Sequence, residues 1–114
     1  MQNLYYLLHS GMLFGTERMA QATAHGLADA CHSTLLSPPG PLADDCRQKG
    51  IAHHDFHSKG ELLRRLCQLW HGKHEITVLS TGVSLAMCAL LAARLCGCRV
   101  RLFEVVHGGV DEKL

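Results

Sequence analysis

The chain has 114 residues, a formal net charge of +1 and mixed composition, with 47% hydrophobic and 18% charged residues. That length bounds the chain to about one domain, with a modest core that is small for a complete two-layered enzyme. Near-neutral charge excludes the basic footprint of a nucleic-acid-binding protein, and residues 85–93, the longest apolar stretch, fall short of the roughly 20 residues of a membrane span.

Residues 4–9 form a short aromatic and aliphatic run that reads as a first strand. The turn Ser10-Gly11-Met12-Leu13-Phe14-Gly15-Thr16-Glu17-Arg18 follows. A glycine-rich turn between a first strand and a first helix is where α/β proteins bring backbone N–H groups close to a phosphate. Residues 16–30 space Met19, Ala22, Gly26 and Ala30 helically, and their many small side chains suit close packing on a sheet. Residues 32–37 read as strand two. Pro38-Pro39-Gly40-Pro41 breaks the chain, and Pro41 suits the first position of a helix that stops at Gly50.

Residues 51–56 form a weak third strand. Ser58-Lys59-Gly60-Glu61 is a capping box, in which serine caps a backbone N–H and glutamate reaches back. The helix it opens carries Leu62, Leu63, Leu66, Leu69 and Trp70 and ends near Gly72. Residues 75–80 are rich in β-branched side chains and read as strand four. Residues 84–96 are nearly all apolar, which predicts a helix buried on several sides. Gly97 ends it, and residues 99–107 read as strand five.

Strand and helix alternate with short connections, which predicts an α/β fold: a Rossmann-like parallel sheet of about five strands with helices on both faces. Ligands of such sheets bind at the carboxyl ends of the strands. Three segments converge there: the Gly11–Arg18 loop, the Ser80-Thr81-Gly82 turn and His107-Gly108-Gly109.

The six cysteines contain no C-x-x-C pair. They read as free buried thiols of a reducing compartment, with a disulfide or zinc framework as the alternative. His53-His54-Asp55-Phe56-His57 has the composition of a metal site. It falls on an expected strand, however, where residues three apart point to opposite faces, so no metal is expected. His25, His71 and His74 read as surface or helix-end residues.

Three stretches, in order, carry a family resemblance. The first is His9-Ser10-Gly11-Met12-Leu13-Phe14-Gly15-Thr16-Glu17-Arg18. The second is Leu36-Ser37-Pro38-Pro39-Gly40-Pro41-Leu42 with Gly50-Ile51, and the third ends in Val105-Val106-His107-Gly108. Together they resemble the N-terminal segments of family 4 glycosyltransferases of the GT-B fold. The family's paired glycines are spread here into Gly-Met-Leu-Phe-Gly.

The resemblance implies that residues 1–114 are the acceptor-binding N-terminal domain of such an enzyme, a fragment without the C-terminal domain that binds most of the donor. It implies transfer of a sugar from a nucleotide-sugar donor to a saccharide or lipid-linked acceptor, with no cofactor and little activity in this chain alone. It places His107 at the catalytic cleft, Gly11, Gly15 and Thr16 near the donor diphosphate, and Glu17, Arg18, Thr81 and Gly82 on the acceptor side. It implies work in polysaccharide biosynthesis in the cytoplasm, at the inner face of the membrane where peripheral association is in keeping with it.

Plainer readings stand beside these. Gly11 and Gly15 can simply shape a turn. Glu17 and Arg18 can be a solvated helix start, with Glu17 favoured by the helix dipole. His107 can be structural. Two other function classes also fit: a stand-alone nucleotide-binding domain, although G-x-G-x-x-G is absent, and a non-catalytic interaction domain that forms a homodimer through apolar surface. No G-x-S-x-G is present, which argues against a nucleophilic serine enzyme.

Overall fold

The computed structural model describes residues 2–11 and 15–104. Nine elements alternate: β1 (Gln2–Leu7), α1 (Gly15–Gly26), β2 (Cys31–Ser37), α2 (Pro41–Lys49), β3 (Ala52–Asp55), α3 (Lys59–Trp70), β4 (Glu75–Ser80), α4 (Val83–Cys96) and β5 (Arg99–Glu104). The strands form one parallel sheet in the order β3-β2-β1-β4-β5. This is the expected α/β Rossmann-like architecture.

β1 is the central strand, and its sequence explains why. Side chains alternate along a strand, and both faces of β1 are apolar. Tyr5 and Leu7 enter one cluster with Leu62, Leu66 and Trp70 of α3 and Leu85, Ala89, Ala92 and Ala93 of α4. Tyr6 and its successor Leu8 enter the other, with Ala20 and Ala24 of α1 and Leu42 and Cys46 of α2. Helices therefore cover both faces, as a parallel sheet requires.

The helix boundaries follow local chemistry. Gly50 and Gly97 close α2 and α4 at φ 73° and 70°, a left-handed conformation that glycine reaches without a Cβ penalty. Ser58 Oγ accepts the Glu61 N–H at 3.1 Å at the start of α3. The Glu61 carboxylate reaches past Ser58 to accept the His57 N–H at 2.6 Å, so the box closes one residue further out than expected. Helix α1 ends at Gly26, four residues before the expected limit. There the chain turns instead, with the Cys31 N–H bonded to the Leu27 carbonyl at 2.8 Å.

The larger departure is α4. It was expected to be buried on several sides, but only one side is. Leu85, Ala89, Ala92 and Ala93 pack against α3 and the sheet, and Ala86 is buried as well. Val83 (70%), Met87 (65%), Leu90 (46%), Leu91 (48%) and Leu95 (65%) are exposed. The reason is steric: α4 turns its alanines inward, where they permit close approach, and no described element lies against its bulky side.

All six cysteines are free. Burial pushes the Cys46, Cys67 and Cys98 thiols above their ordinary range, which makes them poor nucleophiles. Among the described residues no helix is long and apolar enough to cross a membrane.

Candidate functional site

The strand order reverses direction beside β1. The chain leaves β1 toward β2 and β3, then returns through α3 to place β4 on the other side of β1. The loops after β1 and β4 therefore part from each other at the carboxyl edge, the place where α/β sheets open a crevice.

Thr81 holds the two sides of that crevice together. Its N–H donates to the Leu7 carbonyl at 3.1 Å. Its hydroxyl oxygen accepts the His9 N–H at 3.1 Å and lies 2.8 Å from His9 Nδ1. The hydroxyl also reaches the Leu7 carbonyl at 3.3 Å. Nδ1 of His9 is thereby engaged by Thr81. Beside it, Ser80 Oγ accepts the Gly82 N–H at 3.2 Å and donates to the Gly82 carbonyl at 2.7 Å. Gly82 is the N-cap of α4 and supplies no side-chain oxygen to the helix's first N–H groups. Those groups carry the partial positive charge of the helix start.

A cleft of about 300 Å³ opens here, lined by His9, Pro38, Pro39, Phe56, His57, Ser58, Lys59, Ser84 and Leu85. The starts of two helices, α3 at Ser58-Lys59 and α4 at Ser84-Leu85, border it. Lys59 adds a positive charge, beside the imidazoles of His9 and His57. His57 Nδ1 lies 3.0 Å from Glu61, whose carboxyl is held below its usual range by hydrogen bonds from the His57 backbone and ring. Chemically, the arrangement suits a phosphate-bearing or otherwise anionic ligand.

Gly11 lies behind the cleft for a different reason. A Cβ there would overlap the Pro38 carbonyl and lie 2.8 Å from that of Pro39. A Cβ at Gly40 would in turn overlap the Gly11 carbonyl, which accepts the Leu42 N–H at 2.9 Å. Two backbone segments cross in contact, and both crossing points are glycine.

The other singled-out residues are spread more widely. Gly15 opens α1 with free space around a Cβ position, and Thr16 lies in its first turn. Glu17 is 2% exposed, so it is not a solvated helix start. Arg18 is exposed and lines a separate groove of about 450 Å³ with Gln21, Ala22, His25, Lys49 and Ile51, between α1 and the end of α2. That groove is larger than the carboxyl-edge cleft but lies along a helix flank, away from the switch point. Thr81 and Gly82 sit at the crevice. His107 lies outside the described residues, as do Met12, Leu13 and Phe14 of the first loop.

The histidine-rich segment is divided among different partners. Ser37, fully buried, donates to the Pro38 carbonyl at 3.0 Å and so accepts from His53 Nε2 at 2.7 Å. His57 pairs with Glu61 instead. Among the described residues no three His, Cys, Asp or Glu side chains gather as a metal would require.

Burial lowers the pKa of both His53 and His54. The unfolded histidines titrate near about pH 6.5, so below that pH the unfolded chain takes up protons that the fold resists. Stability is expected to be level above neutrality and to fall as pH drops from 7 toward 5. Urea midpoints at the two pH values test this, and His53→Gln should flatten the slope. An unchanged slope in the variant would count against His53 as a source.

Residues that the sequence reading left without a role here are His9, His57, Lys59 and Ser84. The capping box marked the α3 start as a helix terminus, and the strand–helix alternation placed that terminus at the carboxyl edge. Joining those two inferences would have found it. The His9–Thr81 bond spans 72 positions and leaves no local pattern.

No family model and no curated protein sequence matches the chain. Its fold is similar to that of a solved structure, MurG of Acinetobacter baumannii, with a TM-score of 0.59 and 18% identity. The likeness covers 96% of this chain and 37% of that one. The chain thus spans little more than a third of that protein's length, and the similarity is one of fold.

Proposed function

We propose that this chain is the acceptor-side domain of a glycosyltransferase that moves a sugar from a nucleotide-sugar donor to a saccharide or lipid-linked acceptor. The observation that carries the reading is the carboxyl-edge cleft, where Thr81 ties β1 to β4 and two helix starts face one opening. Support also comes from the fold's likeness to MurG, a GT-B glycosyltransferase, and from the family 4-like order of motifs along the chain.

In this reading the chain's own residues bind and position. The acceptor sits in the cleft against His9, Thr81 and the α4 start, so that its hydroxyl approaches the anomeric carbon, a proximity effect. As the bond from the anomeric carbon to the diphosphate oxygen breaks, negative charge grows on the leaving group. Backbone N–H groups near Gly15 and Thr16 lie on the side that meets it. The acceptor oxygen forms the new bond and gives its proton to His107, the proposed catalytic group beside the sugar or acceptor. Glu17 and Arg18 belong to the acceptor flank through α1. The donor is held mostly by a second domain, so this chain alone has little turnover. The reaction is placed in the cytoplasm, at the inner face of the membrane that carries a lipid-linked acceptor.

Protein-observed NMR of the purified chain with nucleoside diphosphates and nucleotide sugars tests the reading. Shifts confined to residues 11–18 and His107 are expected at millimolar ligand. A folded sample with no shift at those positions, or with shifts only along the α1–α2 groove, overturns the donor-contact part. Turnover at an ordinary enzymatic rate by the isolated chain would overturn the half-site assignment.

A further inference from the structure

Two thiols close the C-terminal end of α3. The last carbonyls of a helix have no partner within it, and in α3 sulfur meets them. Cys96 Sγ donates to the Cys67 carbonyl at 3.6 Å, and Cys98 Sγ donates to the Trp70 carbonyl at 3.4 Å. Cys98 Sγ also reaches the Lys73 carbonyl, at 3.1 Å. The segment Cys96-Gly97-Cys98 makes this possible. Gly97, at φ 70°, ends α4 and turns the chain toward β5, so both of its neighbours are set against α3. The Cys67 and Cys96 thiols are also in direct hydrogen-bond contact with each other.

The other cysteines are poorly placed to compete for either sulfur. Cys88 lies about two turns before Cys96 on α4, about 12 Å along the axis. Cys46 packs on the opposite face of the sheet, in the cluster of α1 and α2. Cys31 opens β2. Cys98 is turned to the α3 carbonyls by its own bonds.

We propose that Cys67 and Cys96 are a thiol modification site, which a small-molecule disulfide such as oxidised glutathione converts into a cystine bond tying α3 to α4. The exchange balances in two steps. One cysteine thiolate attacks a sulfur of oxidised glutathione and expels a glutathione thiolate, which takes up the proton the cysteine gave up. The second cysteine thiolate attacks the cysteine sulfur of that mixed disulfide and expels the other glutathione in the same way. The two thiols of the chain are oxidised, and the glutathione disulfide is reduced to two thiols.

The surroundings suit a reversible bond. Both cysteines are half-buried rather than enclosed, and all six are free, which is the reduced form of the site. Burial holds the Cys67 thiol above its ordinary range, so thiolate is scarce at neutral pH and exchange quickens as pH rises. The site lies at the amino edge of the sheet, because α3 and α4 end where β4 and β5 begin. The carboxyl-edge cleft borders the other ends of the same helices, so the inference stands independently of the transferase reading.

The test equilibrates the purified chain with glutathione buffers of graded oxidised-to-reduced ratio. Acid quenching, alkylation, intact mass and non-reducing peptide maps then read the product. The expected product has lost two hydrogen atoms, carries a linked Cys67–Cys96 peptide and reverts in reduced glutathione. The bond closes a loop across 29 positions, so the oxidised chain should melt higher by on the order of 10 °C. Cys67→Ser and Cys96→Ser should each abolish the linked peptide and the rise in melting temperature. Cys31→Ser and Cys88→Ser should leave both, as should Cys98→Ser, which keeps a donor for the Trp70 carbonyl. Glutathione adducts with no internal bond, a bond to Cys88 or Cys98 in place of the pair, or an oxidised chain that melts no higher each overturns the proposal.

Discussion

Gly11→Ala is expected to lower stability by about 3 kcal/mol or more, a large share of the roughly 5–15 kcal/mol that holds a domain of this size folded. The new Cβ would meet the carbonyl oxygens of Pro38 and Pro39. These are backbone atoms and cannot rotate away as a side chain can. They are also fixed in place. Pro38 O accepts the buried Ser37 hydroxyl, and the Gly11 carbonyl holds the Leu42 N–H at the start of α2. Relieving the overlap would break that crossing and lift the α2 start from the β1 loop. Gly15→Ala is the matched control, since nothing lies within 4 Å of a Cβ there. It should be neutral or slightly stabilising, as alanine in a helix is. Urea titrations of both variants decide the matter, and a Gly11→Ala protein as stable as Gly15→Ala would refute the crossing argument. The same contrast guards functional work. Lost activity in a Gly11 variant reports a broken fold first, whereas Gly15→Ala probes the ligand side of the loop.

Trp70→Ala should cost about 3–5 kcal/mol, the range for deleting a large buried aromatic. Trp70 is fully buried at the end of α3. Its ring stands edge-on to Tyr5, with centroids 5.5 Å apart at 72°. That pairing adds about 0.5–1.5 kcal/mol beyond area burial. Trp70→Phe should cost much less. Phenylalanine keeps an aromatic body in the site, and the lost indole Nε1 has no protein hydrogen-bond partner among the described residues. Circular dichroism through a urea titration reads both variants. A loss below about 1 kcal/mol in Trp70→Ala would mean that the α3–α4 cluster collapses around the gap.

The strand–helix alternation was legible because its punctuation is local. Pro41, Gly50, Ser58, Glu61 and Gly97 each act on the few residues beside them, and the structure places each at a helix end. The open face of α4 was not legible, for a physical reason. Alanine and leucine are both apolar, so the helix has no polar stripe to mark an outside. Size, not polarity, separates its two sides. Leu85 and the alanines pack inward, while the bulkier Met87, Leu90, Leu91 and Leu95 are left facing out. Glu17 misled in the opposite way: an acid in a first helical turn reads as solvated, yet it is buried. The cleft was half legible. Its Gly82 turn and α3 capping box could be read in place, but the bond between His9 and Thr81 depends on the β1–β4 pairing, which no short window of sequence contains.

That pairing also sets a schedule for synthesis. β1 finds β2 soon after leaving the ribosome, but its other neighbour is β4, and Leu7 lies opposite Ser80. At about 5–20 residues per second, the intervening stretch takes roughly 4–15 s to be made. For that interval the run Leu4-Tyr5-Tyr6-Leu7-Leu8, apolar on both faces, waits with one edge open. It is also the kind of uncharged, β-prone segment that aggregates when exposed. The nascent chain is therefore most vulnerable before residue 80 emerges, and slow translation or truncation within α3 should favour inclusion bodies over soluble protein.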